Sequence, residues 1–279
     1  MRILFVGDVV GRPGRDAVEA LLPGLRERLD VDACIVNGEN VANGVGITPR
    51  LAERLLAAGA DALTLGNHAW RREEIGPYLA SSPKIVRPAN FQVSAPGRGL
   101  TVVEGRHGTL VAVVNLLGSL FLEPAHSMWE IVDELVEEAR ATTPVVVVDV
   151  HAEATSEKVA LAAWLDGRVT AVLGTHTHVQ TADARILPGG TAALTDVGMT
   201  GPHDGVIGVE KAPIIQKFLS GMPTRFEAAS GDPILHGVIV TADEASGKAT
   251  GITRLSLTLG ELGGLGADLP DEKAAAGRG

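Results

Sequence analysis

The chain has 279 residues, 45% of them apolar and 21% charged, which suits a soluble globular protein of one large α/β domain or two small ones. A net charge of −10 and only 3% aromatic residues argue against an extended nucleic-acid surface, since the charge repels phosphate backbones and stacking platforms are scarce. A small phosphate substrate remains compatible, because bound divalent ions reverse the local field.

The first half of the chain alternates between strands and helices. Strand 2–7 leads to a helix around 15–29, in which Pro23 is expected to kink or split the helix. Strand 32–36 runs into the glycine-rich loop NGENVANGVGI. Thr48 then caps a helix that has Pro49 at its first position. Strand 62–65 leads through GNHAW to a helix near 71–80, and residues 81–99 read as loop. Strands 100–104 and 109–116 flank a turn at 105–108. A helix near 127–140, strand 145–150, a helix near 156–165 with Thr155 or Ser156 as cap, and strand 169–173 follow. Residues 184–197 read as a hairpin turning at Gly189-Gly190. A short helix near 211–219 and strands 234–241 and 251–258 complete the fold. With no repeat and no Ser/Gly-rich linker, one domain over 1–260 with a disordered tail over 261–279 is expected.

No apolar run approaches the roughly 20 residues that span a bilayer. The opening strand pattern is not a secretory leader, so a cytoplasmic protein is expected. Cys34, the single cysteine, lies in an apolar run and reads as a core residue.

What sets the sequence apart is how its apolar runs end. RILFVG ends in Asp8, DACIVNG in Glu39-Asn40, DALTLG in Asn67-His68, PVVVVDV in His151, and TAVLG in His176 and His178. TLVAVV ends in Asn115, which is expected either to support the ligand residues or, as the simpler reading, only to terminate its strand. In open α/β sheets the ligand site lies beyond the carboxyl ends of the strands. Each residue alone has a bland reading as turn, cap or core. Five strand ends that all carry metal- or proton-capable groups do not. Residues two apart on an extended segment point the same way, so the H-x-H pair can hold metal. Two metals need a bridging oxygen, and Glu39 is the obvious one. Adjacent residues diverge, so Asn67 can bind metal while His68 faces substrate.

The series Asp8, Gly38-Glu39-Asn40, Gly66-Asn67-His68, His151 and Gly174-Thr175-His176-Thr177-His178 resembles the calcineurin-like metallophosphoesterases. The wording GDVVG, NGEN, GNH, HAEATSEK, GTHTHVQTAD and TDVGMTGP is similar to the YmdB branch of bacterial phosphodiesterases, over about residues 1–258. The resemblance implies an α-β-β-α sandwich of two mixed sheets flanked by helices, and two iron or manganese ions, with zinc or magnesium as alternatives. It implies that Asp8, Glu39, Asn40 and His178 hold one ion and Glu39, Asn67, His151 and His176 the other. It also implies hydrolysis of 2′,3′-cyclic AMP and related small phosphodiesters, by attack of metal-bound hydroxide with His68 as proton donor.

The chain departs from the broader superfamily at Val10, where most members have a histidine ligand. It departs again at Glu39, where most have Asp, and at Ala69, where most have a carboxylate after G-N-H. A phosphomonoesterase or nuclease with the same centre, and a metal-binding regulatory scaffold, are the competing readings. A zinc amidohydrolase is disfavoured, because there H-x-H opens the chain. Homo-oligomerisation is left open. Of the remaining candidates, His107, His126 and His236 read as structural or solvent-exposed. His203 is a candidate for the mouth of the site, and Arg12 and Arg15 are candidates for contact with substrate phosphate.

Overall fold

The protein is described here by a computed structural model covering residues 1–261. In chain order the elements are β1 (Arg2–Val6), β2 (Asp8–Val9), α1 (Gly11–Arg28), β3 (Ala33–Asn37), α2 (Pro49–Ala57), β4 (Ala62–Thr64) and α3 (Ile75–Ser81). There follow β5 (Leu100–Glu104), β6 (Leu110–Leu117), α4 (Val132–Thr142), β7 (Val146–His151), α5 (Thr155–Trp164), β8 (Ala171–Thr175), β9 (Arg185–Ile186) and β10 (Ala192–Leu194). The last are β11 (Met199–Pro202), α6 (Lys211–Ser220), β12 (Pro233–Ala242) and β13 (Ala249–Thr258). The expected tail falls, from residue 262 on, outside the described residues.

These strands form two mixed sheets. The first has the order β2-β11-β12-β1-β3-β4, with β13 also on β12; β1, β3 and β4 are parallel. The second has the order β5-β6-β7-β8-β10-β9, with β6, β7, β8 and β10 parallel and antiparallel strands at both edges.

Alternation along each strand sorts its side chains into layers. Ile3 and Phe5 of β1 pack with Val147 of β7 and Leu173 of β8 between the sheets. Leu4 and Val6 face outward onto Leu21, Leu22 and Leu25 of α1 and Leu55 of α2. On the far side, Val146, Val148 and Val150 of β7 meet Val132 and Val136 of α4 and Leu161 of α5. Strands buried on both faces must be apolar throughout, which is why they read as continuous runs. The four layers are those expected.

Several local expectations change. Helix α1 runs unbroken through Pro23 and starts earlier than expected. Pro23 is exposed, so water can take the freed carbonyl, while Val18, Leu21, Leu22 and Leu25 hold both halves of the helix on the sheet. Neither Thr155 nor Ser156 caps α5; the cap position is Ala154, without a side-chain hydrogen bond. The helix expected near 127–140 begins as a 3-10 turn at Met128–Glu130 and becomes α only at Val132. Strands β2 and β11, not anticipated, pair in parallel through Asp8–Met199 and Val9–Thr200. The hairpin at Gly189-Gly190 forms as expected, and Cys34 is a buried core residue of β3.

Candidate metal centre

Both sheets send the carboxyl ends of parallel strands to one rim. From the first sheet come Asp8 on β2, Glu39 and Asn40 after β3, and Asn67 and His68 after β4. From the second come His151 at the end of β7 and His176 and His178 after β8. The seam is polar. Asn37 of β3 donates to Asp149 of β7 (3.1 Å), closing the layer that Ile3, Phe5 and Val147 fill below.

The sequence-derived residues gather there in two groups that meet at Glu39. In one, Asn40 Nδ2 lies 3.1 Å from Glu39 Oε1 and 3.2 Å from His178 Nε2, and Asp8 Oδ1 lies 3.9 Å from His178 Nε2. In the other, His151 Nε2 lies 3.1 Å from Glu39 Oε1, 3.0 Å from Asn67 Oδ1 and 3.1 Å from His176 Nδ1. Ligand atoms of Glu39, His151 and His176 lie within 4.8 Å of one another. His68 stands between the groups. Its amide donates to Glu39 Oε2 (3.0 Å), its Nδ1 is 2.8 Å from Asn40 Oδ1, and its side chain is 26% exposed. Asn67 and His68 therefore diverge as expected, although they sit in a turn.

The H-x-H pair does not lie on an extended segment. Strand β8 ends at Thr175, and His176 and His178 both adopt left-handed backbone conformations (φ 98° and 66°). Both still reach the rim: His176 stacks edge-on against His151 (4.8 Å between ring centres), and His178 turns toward Asn40 and Asp8.

A chain of hydrogen bonds fixes the tautomer of His151. The Thr175 hydroxyl donates to Asp149 Oδ1 (2.7 Å), so it can only accept from His151 Nδ1 (2.8 Å). With Nδ1 committed to that hydrogen, Nε2 is the nitrogen that faces Glu39, Asn67 and His176, where a bound cation would take the place of its proton. Neither Asp149 nor Thr175 was singled out from sequence; position within the strand-end motifs was the only available signal. The same holds for Glu153, whose Oε2 lies 3.1 Å from His176 Nε2. Asn115 lies inside β6 rather than ending it. Its Oδ1 accepts from Leu65 N (3.2 Å), so it steadies the approach to the G-N-H turn.

Electrostatics mark the centre as a place built for positive charge. Burial pushes the Asp8 carboxyl above its ordinary range, only partly offset by His178 and His151, and its Oδ1 is buried without a hydrogen-bond partner. Burial also opposes charge on Glu39, but His151 and His68 outweigh it and hold the carboxyl well below its ordinary range. Burial works against charge on His151 too, yet Glu39, Asp8 and Asp149 lift it to about 9. Burial, reinforced by the His151 charge, pushes His176 down to about 3. A buried carboxylate oxygen with no donor, beside converging ligand atoms of Glu39, His151 and His176, is a donor set with a cation's place in it. Gly66 keeps that place open: a Cβ there would lie 2.3 Å from His151 Nε2 and 2.4 Å from Glu39 Oε2.

The weaker candidates make none of the contacts given above. His107 is exposed in a turn at φ 63°, and His126 is exposed in a loop. His203 stacks edge-on against His236 at 4.7 Å. Arg12 is 80% exposed and pairs with Asp16 (3.3 Å).

Fold and constellation together define the metallophosphoesterase class of α-β-β-α sandwich. The YmdB-like protein family matches residues 4–255, and the chain belongs to that family. A 2′,3′-cyclic-nucleotide 2′-phosphodiesterase of Bacillus subtilis is 49% identical, covering 91% of this chain and 96% of its own. The crystal structure of a hypothetical protein from Thermus thermophilus is 43% identical, with a TM-score of 0.87 over 92% of this chain and 99% of its own. That of a phosphatase from Mycoplasma pneumoniae is 33% identical, with a TM-score of 0.85 over 92% and 93%. Among the described residues no helix is long and apolar enough to cross a membrane.

Proposed function

We propose that the chain is a two-metal phosphodiesterase that hydrolyses small cyclic phosphodiesters such as 2′,3′-cyclic AMP. The observation that carries the reading is Glu39. One oxygen of its buried carboxylate lies 3.1 Å from both Asn40 of one group and His151 of the other. Asp8, Asn40 and His178 with Glu39 would hold one ion, and Asn67, His151 and His176 with Glu39 the second. The oxygen and imidazole donors suit iron or manganese, and zinc or magnesium also. Two bound ions would supply Lewis-acid stabilisation of the phosphoryl oxygens and acidify a water. The 49% identical Bacillus subtilis relative supports the substrate class by its name.

The chain's own residues do the rest. Glu39 and Asp8 place negative charge at the rim where the ions would be held. His68, partly exposed at the rim, gives a proton to the departing ribose oxygen. Its Nδ1 is engaged by Asn40, so the orientation of that amide sets which nitrogen of His68 carries the proton to substrate. Residues 1–260 act as one domain.

Two measurements test the reading. Removing the charge between two dications should weaken both sites, so Glu39→Gln should bind neither ion tightly. Two tightly held ions in that variant would show that Glu39 is not the bridge. Turnover should be highest on 2′,3′-cyclic AMP in a panel that includes phosphate monoesters and single-stranded RNA. Preference for a monoester would favour a phosphomonoesterase instead.

A further inference from the structure

We propose that Asp196, paired with Lys158, is the positioning residue for both histidines of the H-x-H segment and acts through the residue between them, Thr177. The proposal rests on the metal-centre reading above, and none of these residues is in the ligand set.

Asp196 Oδ2 accepts from the Thr177 amide (3.0 Å) and from the Thr177 hydroxyl (2.7 Å), and Lys158 Nζ lies 2.9 Å from the same oxygen. Its Oδ1 accepts from the Gly198 amide (2.8 Å). Both members of the ion pair are buried, with side chains only 3% and 1% exposed. The surroundings lace the same two segments together. The Asp196 carbonyl accepts from Thr181 N, Val197 N donates to the Gly174 carbonyl, and Asp196 N donates to Thr181 Oγ1. At Gly174 a Cβ would lie 1.9 Å from the Thr195 carbonyl oxygen, so the two strands can approach only with glycine there.

The backbone explains why such a fixture is needed. His176 and His178 both have positive φ, which L side chains rarely adopt and which persists only where the surroundings impose it. Asp196 imposes it from the middle. It takes both polar groups of Thr177 to one side, so the flanking imidazoles turn to the other, toward His151 and toward Asn40. Lys158 lies on α5, which follows directly on the strand that ends in His151. The ion pair therefore ties α5 to the exit of β10, and Asp196 carries that tie on to Thr177 at the exit of β8. A buried ion pair is weak evidence of stability, because desolvation offsets the attraction, but it is well suited to fixing one geometry.

The test uses the full chain. Thr177→Val removes one hydroxyl while keeping the volume; Thr177→Ser keeps the hydroxyl. Asp196→Asn is made alone and together with Lys158→Met, so that no buried lysine is left unpaired. Manganese(II) binding is measured by equilibrium dialysis, backbone amide exchange of residues 176–178 on metal-free protein, and the thermal midpoint on every variant. Thr177→Val should raise the manganese dissociation constant about 10–100-fold, as loss of partners that orient metal ligands does. Its thermal midpoint should stay close to the parent's, and Thr177→Ser should restore binding. Amide exchange at 176–178 should speed up in Thr177→Val and in both Asp196→Asn variants. Parental manganese affinity and unchanged exchange in Thr177→Val and Asp196→Asn/Lys158→Met would overturn the proposal. If the parent itself bound no metal, the metal-centre reading would fail, and the exchange data alone would decide whether Asp196 sets the segment.

Discussion

At the scale of single residues, His68 and its neighbour Asn67 show how a turn divides labour. Asn67 reaches 3.0 Å from His151, while His68 lies against Asn40 and Glu39 and keeps part of its ring in solvent. A general acid matters most when the leaving oxygen has a high pKa, and such help is typically worth about 10²–10⁴-fold. We expect His68→Ala to keep its metals, to lose most activity on 2′,3′-cyclic AMP, and to lose far less on bis-nitrophenyl phosphate, whose leaving group departs without a proton. Equal losses on both substrates would place His68 in phosphate binding instead. Missing metal in His68→Ala would mean that the roles of Asn67 and His68 are exchanged. The residue types gathered at the rim were legible in sequence because each ends an apolar run. The residues that orient them were not. Asp149 and Thr175 are ordinary polar strand residues, and only the register that sets Thr175 opposite His151, two residues on from Asp149, makes them a relay to His151.

At the scale of elements, the site depends on how closely the strand exits approach each other. Gly66 follows β4 where the side chains of His151 and Glu39 cross from the other strands. Both are tethered, His151 by Thr175 and Glu39 by the His68 amide, so neither can move aside for a methyl group. We expect Gly66→Ala to destabilise the fold by about 1–3 kcal/mol, the usual cost of forcing extra volume into a packed site. It should also weaken metal binding at both positions. Urea unfolding and metal content of the purified variant check this; parental metal content would show that the rim is more yielding than its tethers suggest. Most strands and helices were legible from periodicity. β2 and β11 were not, because each is short and carries no apolar run of its own, and only pairing of Asp8 with Met199 and Val9 with Thr200 makes them strands. Pro23 misled in the opposite sense. A proline rule that holds for an isolated helix yields where the missing bond faces water and the apolar stripe continues on both sides.

At the scale of the whole molecule, stability should carry a pH signature from a histidine outside the centre. Burial, reinforced by His203, pushes His236 from 6.5 down to about 4. The fold therefore prefers neutral His236, and between about 4 and 6.5 the unfolded chain binds the extra proton. Its contribution is complete above about 6.5 and is lost as the pH falls toward about 4. Other groups titrate in the same window, so the readout is a difference between proteins. We expect His236→Phe, which keeps a ring against His203, to flatten the fall in urea-unfolding stability between these limits. An unchanged pH profile would show that His236 does not feel its burial. By itself the sequence determined the strand–helix alternation, the continuous apolar runs and the residue types at their ends, because periodicity and burial act locally along the chain. Only the tertiary structure decided that two sheets would bring Glu39 and His151 to 3.1 Å and Asn37 and Asp149 to the same distance, and that the H-x-H backbone would turn left-handed. Those outcomes depend on which strands become neighbours, and that is set by packing two sheets through a shared layer rather than by any local pattern.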